Sequence, residues 1–102
     1  MKHKYKKSGL LMPVDDENAK LIAKAVTELT NEHGEFKYGK VVVMQHPETD
    51  EYVFRWLGRF RGAYITTAVG VPPEKMCNME EIIPWVERYV KHDLDDWADR
   101  HG

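Results

Sequence analysis

Two segments of the chain, one near each end, carry apolar residues at three- and four-residue spacing, which lines one face of a helix. In the first segment, the acidic start Asp15–Glu17 suits the positive end of a helix dipole. Gly34 ends the pattern, as glycine does just beyond a helix. The spacing predicts an amphipathic helix over 15–33. Its apolar face consists of Ala19, Ile22, Ala23, Val26 and Leu29.

The second helical repeat lies near the end of the sequence. Asn78 and Glu81 form a capping pair, in which asparagine accepts from the first turn and glutamate follows three residues later. Pro84 either begins the regular helix as its first residue or kinks a longer helix. We expect this helix to fade near Gly102. Its apolar stripe consists of Ile82, Ile83, Val86, Val90, Leu94 and Trp97.

Between the two helices the pattern changes to β-branched runs and two-residue alternation, which are typical of strands. The predicted connections are short: turn residues at 47–50 and a glycine-bracketed segment at 58–62. Connections this short require antiparallel pairing, because a parallel pair needs a crossover of a dozen or more residues. The sequence therefore predicts a three-stranded meander over 40–70. Its strands are 40–46, 51–57 and 63–69.

These elements predict an α+β domain in the order α-β-β-β-α, with two amphipathic helices packed on the meander. The apolar run Gly9–Met12, ended by Pro13, fits either a short extra N-terminal strand or a packed lead-in. We expect residues 1–8 to form a basic, flexible tail and 9–102 to form a single domain, in line with the usual domain size.

The second strand of the meander has two apolar faces. Tyr52, Phe54 and Trp56 point to one side, while Val53 and Leu57 point to the other. A sheet face that meets water should be polar, and neither face is. Three explanations remain open: a helix on each face, a dimer that buries the second face, or a surface for a ligand or partner. The surplus apolar surface favours association over catalysis.

The composition excludes several protein classes. The chain has 102 residues and one cysteine, Cys77, which rules out an intramolecular disulfide framework and a multi-cysteine zinc site. Charged residues make up 31% of the chain and aromatic residues 11%, so a folded domain is expected. No apolar run approaches the roughly 18 residues that a membrane span needs, and no secretion signal follows the basic start. We expect a cytoplasmic protein that contacts no membrane and needs no cofactor.

Positive charge is unevenly distributed, although the formal net charge is −2. Residues 1–8 are lysine-rich and form either a solvated terminus or an arm that adds salt-sensitive affinity for nucleic acid. Arg55, Arg59 and Arg61 cluster in mid-chain beside aromatic residues, a combination that binds phosphates and stacks on bases. The candidate binding residues are Tyr52, Phe54, Arg55, Trp56, Arg59, Phe60 and Arg61.

Groups suited to catalysis are few. His46, His92 and Cys77 are the only plausible reactive side chains, and the sequence brings no two of them together. His92, Asp96 and Asp99 share one helix face and could hold a divalent cation, but an acidic, solvated helix face explains them equally. We assign no catalytic residue and no metal site.

The sequence thus predicts a non-enzymatic binding or regulatory module that acts through protein–protein association, with self-association through a sheet face as one form of it. The alternative is a nucleic-acid-binding domain that uses the Arg55, Arg59 and Arg61 hairpin together with the lysine-rich arm. A third hypothesis is a small ligand-binding protein or enzyme.

Overall fold

The two helices and the antiparallel meander are present in the computed structural model, which describes residues 11–101. A short strand precedes the first helix, so the order is β-α-β-β-β-α and the class is α+β, as the sequence predicts. The predicted tail at 1–8 lies outside the described residues. The elements are β1 (Met12–Pro13), α1 (Glu17–Thr30), β2 (Phe36–Gln45), β3 (Tyr52–Phe60), β4 (Ala63–Val71), a 3-10 helix (Pro73–Lys75) and α2 (Met79–His101).

The strands form one antiparallel sheet in the order β1-β2-β3-β4. Met12 pairs with Gln45, so the apolar run before Pro13 joins the sheet as a short strand; Gly9 and Leu10 of that run lie outside the described residues. Beyond β1, the outer edge of β2 is covered by α1, because the Thr27 hydroxyl accepts from the Val41 N–H at 2.8 Å.

The hairpin between β3 and β4 is tighter than the sequence predicts. β3 runs on to Phe60, and the turn is only Arg61 and Gly62, whose φ angles of 52° and 85° match a type I′ turn. The predicted connection at 58–62 is therefore too long. Gly58 belongs to β3. A Cβ at this position would lie 2.3 Å from the Trp56 ring. This glycine makes room for a tryptophan rather than for a turn.

Asp16 precedes helix α1 and is its N-cap. Its carboxylate accepts from the Asn18 and Ala19 N–H groups at 2.9 and 3.4 Å. The other carboxylate oxygen of Asp16 accepts from the Tyr52 hydroxyl at 2.9 Å, which ties the helix start to β3. The helix ends at Thr30 with Asn31 as its C-cap, so the prediction that Gly34 ends it is wrong. Gly34, with a φ of 61°, lies in the turn between His33 and Phe36, whose backbone groups bond to each other. The predicted helix at 15–33 is confirmed and is shorter by a few residues.

Helix α2 begins after Asn78, whose side-chain oxygen accepts from the Glu81 N–H at 3.4 Å, so the predicted capping residue is confirmed. Pro84 lies inside the helix, which starts at Met79. The alternative in which Pro84 is the first helical residue is wrong, because the cap at Asn78 starts the helix one turn earlier.

Both helices cover the same face of the sheet. Val41, Trp56 and Thr67 form one cross-strand row and therefore point the same way. The Trp56 indole N–H donates to the Thr30 carbonyl of α1 at 2.9 Å, and the Thr67 hydroxyl donates to Asp93 of α2 at 2.8 Å. A helix on each face is therefore wrong, and the second apolar face stays uncovered by the helices.

Candidate binding surface

The sheet face opposite the helices, here called the open face, is built by every second residue of β2, β3 and β4. Its composition follows from the register, because directly paired residues of an antiparallel sheet share a face. The four cross-strand rows are Lys37–Arg59–Tyr64, Lys40–Leu57–Thr66, Val42–Arg55–Ala68 and Met44–Val53–Gly70.

Four large aliphatic side chains lie on the open face. Val42, Met44 and Val53 are partly exposed, and Leu57 is 40% exposed. At one end, Tyr64 is 80% exposed. Val42, Met44 and Val53 adjoin one another on β2 and β3, while Arg55 separates Val53 from Leu57 along β3. Exposed apolar residues grouped in this way mark interaction sites.

Positive charge lies among and beside these aliphatic residues. Four open-face positions are cationic, namely Lys37, Lys40, Arg55 and Arg59. Glu32 lies 3.7 Å from the Lys37 ammonium. The carboxylate of Glu51 lies over Gly70 at the far end of the face, 2.8 Å from where a Cβ of residue 70 would stand. The open face is therefore basic although the whole chain carries a net charge of −2.

Arg55 and Arg59 are held by neutral partners. Arg55 donates to the Thr66 hydroxyl at 3.2 Å. Arg59 donates to the Tyr64 hydroxyl at 2.5 Å, and its guanidinium carbon lies 4.1 Å from the centre of the Tyr64 ring. Within residues 11–101 neither arginine has a carboxylate partner, so both charges remain available to an anionic ligand.

Arg61 is separated from the other two arginines. It lies in the β3–β4 turn and donates to both carboxylate oxygens of Glu35, at 2.7 and 3.0 Å. The hydrogen bond from Arg61 lowers the pKa of Glu35 and raises the pKa of the arginine itself. The structure thus places Arg55 and Arg59 together on the open face, while the charge of Arg61 is neutralised within the chain.

The aromatic candidates lie on the covered face. Phe54 and Trp56 have no exposed surface, and Phe60 is 5% exposed. Tyr52 is partly buried and its hydroxyl is bonded to Asp16. These four rings build the core beneath the helices, and the sequence alone left open whether they did so or formed a binding surface.

Sequence reasoning did not single out Lys37, Lys40 and Tyr64 as site residues. The phase of alternation in each strand was a usable signal, since it groups Arg55 with Val53 and Leu57. Grouping residues across strands requires the register, and the β-bulge between Lys37 and Lys40 shifts that register by an amount the pattern does not reveal.

The potentially reactive side chains lie apart. Cys77 borders a groove of about 540 Å³ that extends from the 3-10 helix to the first turns of α2. None of the described residues that line this groove is a histidine. His92 lies further along α2, beside Trp85, Arg88 and Tyr89. Over residues 11–101, no group of three or more His, Cys, Asp or Glu side chains is arranged to hold a metal ion.

Comparison with known proteins gives no match to a family model, to a curated protein or to a solved structure. In the part of the chain described here, neither helix has the length and apolar character that crossing a membrane requires. The open face combines exposed aliphatic side chains with two arginines that have no carboxylate partner within residues 11–101.

Proposed function

We propose that this chain is a non-enzymatic binding module whose open face docks an acidic, amphipathic helix of a partner protein. The observation that carries the proposal is the set of aliphatic residues Val42, Met44, Val53 and Leu57 with Lys40, Arg55 and Arg59 among and beside them. None of these three cations has a carboxylate partner within residues 11–101. A helix packs well on a sheet face, and its apolar stripe would cover the aliphatic residues. Glutamates beside that stripe would meet Lys40, which is exposed on β2, and Arg55 on β3.

Charge favours a different protein over a second copy on this face. Two copies placed face to face would bring Lys37, Lys40, Arg55 and Arg59 of both chains against one another. The acids that offset them are Glu51 and the Lys37 partner Glu32. Like charges placed against each other at an interface cost roughly several kcal/mol of binding free energy. An acidic partner gains from the same arrangement and is steered toward the face by it.

A single-stranded nucleic acid is the second candidate ligand. The observation that favours it is Tyr64, a largely exposed ring beside the Arg59 guanidinium, since bases stack on aromatic rings while cations bind phosphates. It ranks second because Arg59 already covers one side of that ring. None of the other residues in the four open-face rows is aromatic.

Fluorescence anisotropy tests the proposal with defined probes. The first probe is a labelled helical peptide that carries leucines at i, i+4 spacing and glutamates beside them; a scrambled peptide of the same composition is its control. We expect the helical peptide to bind, and the double variant Lys40→Glu/Arg55→Glu to weaken it about tenfold or more, which corresponds to about 1.4 kcal/mol. The matched control, Lys75→Glu/Arg88→Glu, makes the same charge change on exposed residues away from the open face and should leave binding unchanged.

A labelled 15-nucleotide oligouridylate in the same assay separates the two ligand classes. Binding of the oligonucleotide but not of the peptide would replace the proposal by the second candidate. Equal binding of helical and scrambled peptides, or equal weakening by both double variants, would mean that bulk charge rather than the open face is responsible and would reject the proposal.

A further inference from the structure

The two edges of the sheet are protected to different extents. At one edge, β1 pairs with the end of β2, and Thr27 of α1 caps the Val41 N–H. At the other edge lies β4, whose outward backbone groups have no hydrogen-bond partner within residues 11–101. An unprotected edge is a template for pairing with another strand.

β4 also lacks the features that normally prevent such pairing. It is nine residues long, its sequence AYITTAVGV contains no charge and no proline, and its pairing with β3 shows no bulge. Natural edge strands are usually short, charged, bulged or interrupted by proline. Pro72, which has no N–H, follows directly and ends the stretch that could pair.

The hairpin fixes which residues of β4 face outward. A two-residue turn makes Phe60 and Ala63 a hydrogen-bonded pair. Bonded pairs then recur at every second residue, so the odd-numbered residues of β4 bond to β3. The backbone N–H and C=O groups of Tyr64, Thr66, Ala68 and Gly70 point away from the sheet.

We propose that β4 pairs antiparallel with β4 of a second copy of this chain, around a two-fold axis at Thr67. In this register Tyr64 of one copy is bonded to Gly70 of the other, and Thr66 to Ala68. All outward-facing residues of both strands are then paired, and the two sheets become one continuous sheet. A shift by two residues in one direction would pair Tyr64 with Pro72, which cannot donate.

Side-chain size and charge fit this register. The largest outward-paired residue, Tyr64, meets the smallest, Gly70, and a ring lying over a cross-strand glycine is a favourable sheet contact. The Arg59 guanidinium lies on Tyr64, and the Glu51 carboxylate lies over Gly70. The two-fold axis therefore brings Arg59 of each copy beside Glu51 of the other.

A partly exposed aromatic pair on α2 borders the same edge. Trp85 and Tyr89 lie on one ridge of α2 with Asp93, at four-residue spacing, and Asp93 accepts from Thr67 at the centre of β4. The Trp85 and Tyr89 rings contact each other with centres 4.8 Å apart, and Tyr89 is 47% exposed. A second copy joined at β4 would bring its own α2 toward this ridge and cover it.

Light scattering after size exclusion, on the full chain at about 100 µM, gives the primary test. We expect a mass of twice the 11.9 kDa of one chain. Ala68→Pro should return the mass to one chain, because it removes an outward N–H and leaves the β3 ladder intact. Circular dichroism of that variant checks that it is folded. A single-chain mass for the unaltered protein at this concentration overturns the proposal.

A charge swap tests the register and does not depend on the proline variant. Glu51→Arg and Arg59→Glu should each lower the dimer affinity about tenfold, because each substitution replaces both symmetric Arg59–Glu51 contacts by contacts between like charges. The double variant Glu51→Arg/Arg59→Glu should recover most of it. Within one chain these residues stand about 26 Å apart along the strand, so recovery requires contact between copies. A dimer whose double variant is no stronger than either single variant contradicts this register.

Amide hydrogen exchange provides an internal comparison within β4. In the dimer, the Thr66 amide should exchange about tenfold or more slowly than in the Ala68→Pro monomer. Compared with the diluted, unaltered monomer, the Thr66 and Ala68 amides should both show this slowing. The Thr67 amide, bonded to β3 in both states, should change far less. Equal slowing of Thr66 and Thr67 would place the dimer contact elsewhere. This proposal concerns the edge and is read out by mass, so it stands or fails separately from docking on the open face.

Discussion

The two faces of the sheet are made by alternate residues of the same three strands, yet one face is the core and the other lies open. Trp56 has no exposed surface, whereas Leu57, the next residue, is 40% exposed. Both faces contain apolar residues, so hydrophobicity alone does not separate them. They differ in ring size and in charge: the covered face has Phe54, Trp56 and Phe60, while the open face has aliphatic residues between cations.

This difference indicates what each face contributes. Large rings remove the most apolar area from water, so the packing of two helices on them contributes much to the stability of the fold. Aliphatic residues beside Lys40 and Arg55 bury less area, and covering them from within the chain would also have required partners for the charges. We infer that the covered face supplies most of the stability and the open face can be altered at low cost.

The largest expected effect is the truncation of a ring on the covered face. Trp56→Ala should lower the free energy of unfolding by about 3–5 kcal/mol, because it leaves a cavity and removes the indole bond to the Thr30 carbonyl. Leu57→Ala, on the open face, should cost less than about 1 kcal/mol. Urea denaturation followed by circular dichroism measures both values. Similar losses for the two variants would mean that the open face is also buried, as in a tight assembly.

A smaller effect is expected from adding a methyl group to glycines on the two faces. At Gly58 a Cβ would lie 2.3 Å from the enclosed Trp56 ring and 2.9 Å from the Lys37 carbonyl oxygen. Gly58→Ala should therefore cost about 1–3 kcal/mol of unfolding free energy. At Gly70 the nearest atoms belong to the end of the Glu51 side chain, at 2.8 Å, and that side chain can rotate away.

Gly70→Ala is accordingly the control, with an expected change within about 0.5 kcal/mol. The comparison is made by urea denaturation at a protein concentration at which both variants are monomeric. A Gly70→Ala loss as large as that of Gly58→Ala would contradict the assignment of Gly70 to the open face.

The smallest effect concerns pH. The hydrogen bond to Asp16 is the main cause that raises the pKa of Tyr52 above its usual 10.0. A raised pKa in the folded state stabilises the protein below the pKa of the unfolded chain, and the contribution is lost as pH rises through the folded value. The stability difference between the unaltered protein and Tyr52→Phe should stay constant up to about pH 9 and shrink above pH 10.

The Glu35–Arg61 pair provides the opposite sign as a control. The arginine hydrogen bond holds the pKa of Glu35 below its usual 4.5, so its contribution is present above that value and is lost as pH falls. Glu35→Gln should therefore differ from the unaltered protein near neutral pH and converge with it in acid. Urea midpoints over the pH series check both pairs. A Tyr52→Phe difference that did not shrink at high pH would contradict the bond to Asp16.

Much of the fold could be predicted, because each element has a local cause. The helix cap at Asn78 and the alternation of Tyr52, Phe54 and Trp56 are readable from neighbouring residues, and the structure has both. Gly58 was misjudged because a glycine in a turn and a glycine beside a packed ring look alike in sequence. The candidate site was less predictable: Arg61 meets Glu35 from a distant part of the chain, and such contacts leave no local pattern.

The sequence by itself determined where the two helices and the three long strands lie along the chain and which side chains share a strand face, because backbone periodicity and capping act over a few residues. It predicts a start of β2 at 40 and an end of β3 at 57, whereas the strands reach Phe36 and Phe60. Only the tertiary structure decided which sheet face became the core, which arginines remained unpaired and which strand was left at the edge. Those outcomes depend on strand register and on where two helices pack, and both are set by contacts between residues far apart in the chain.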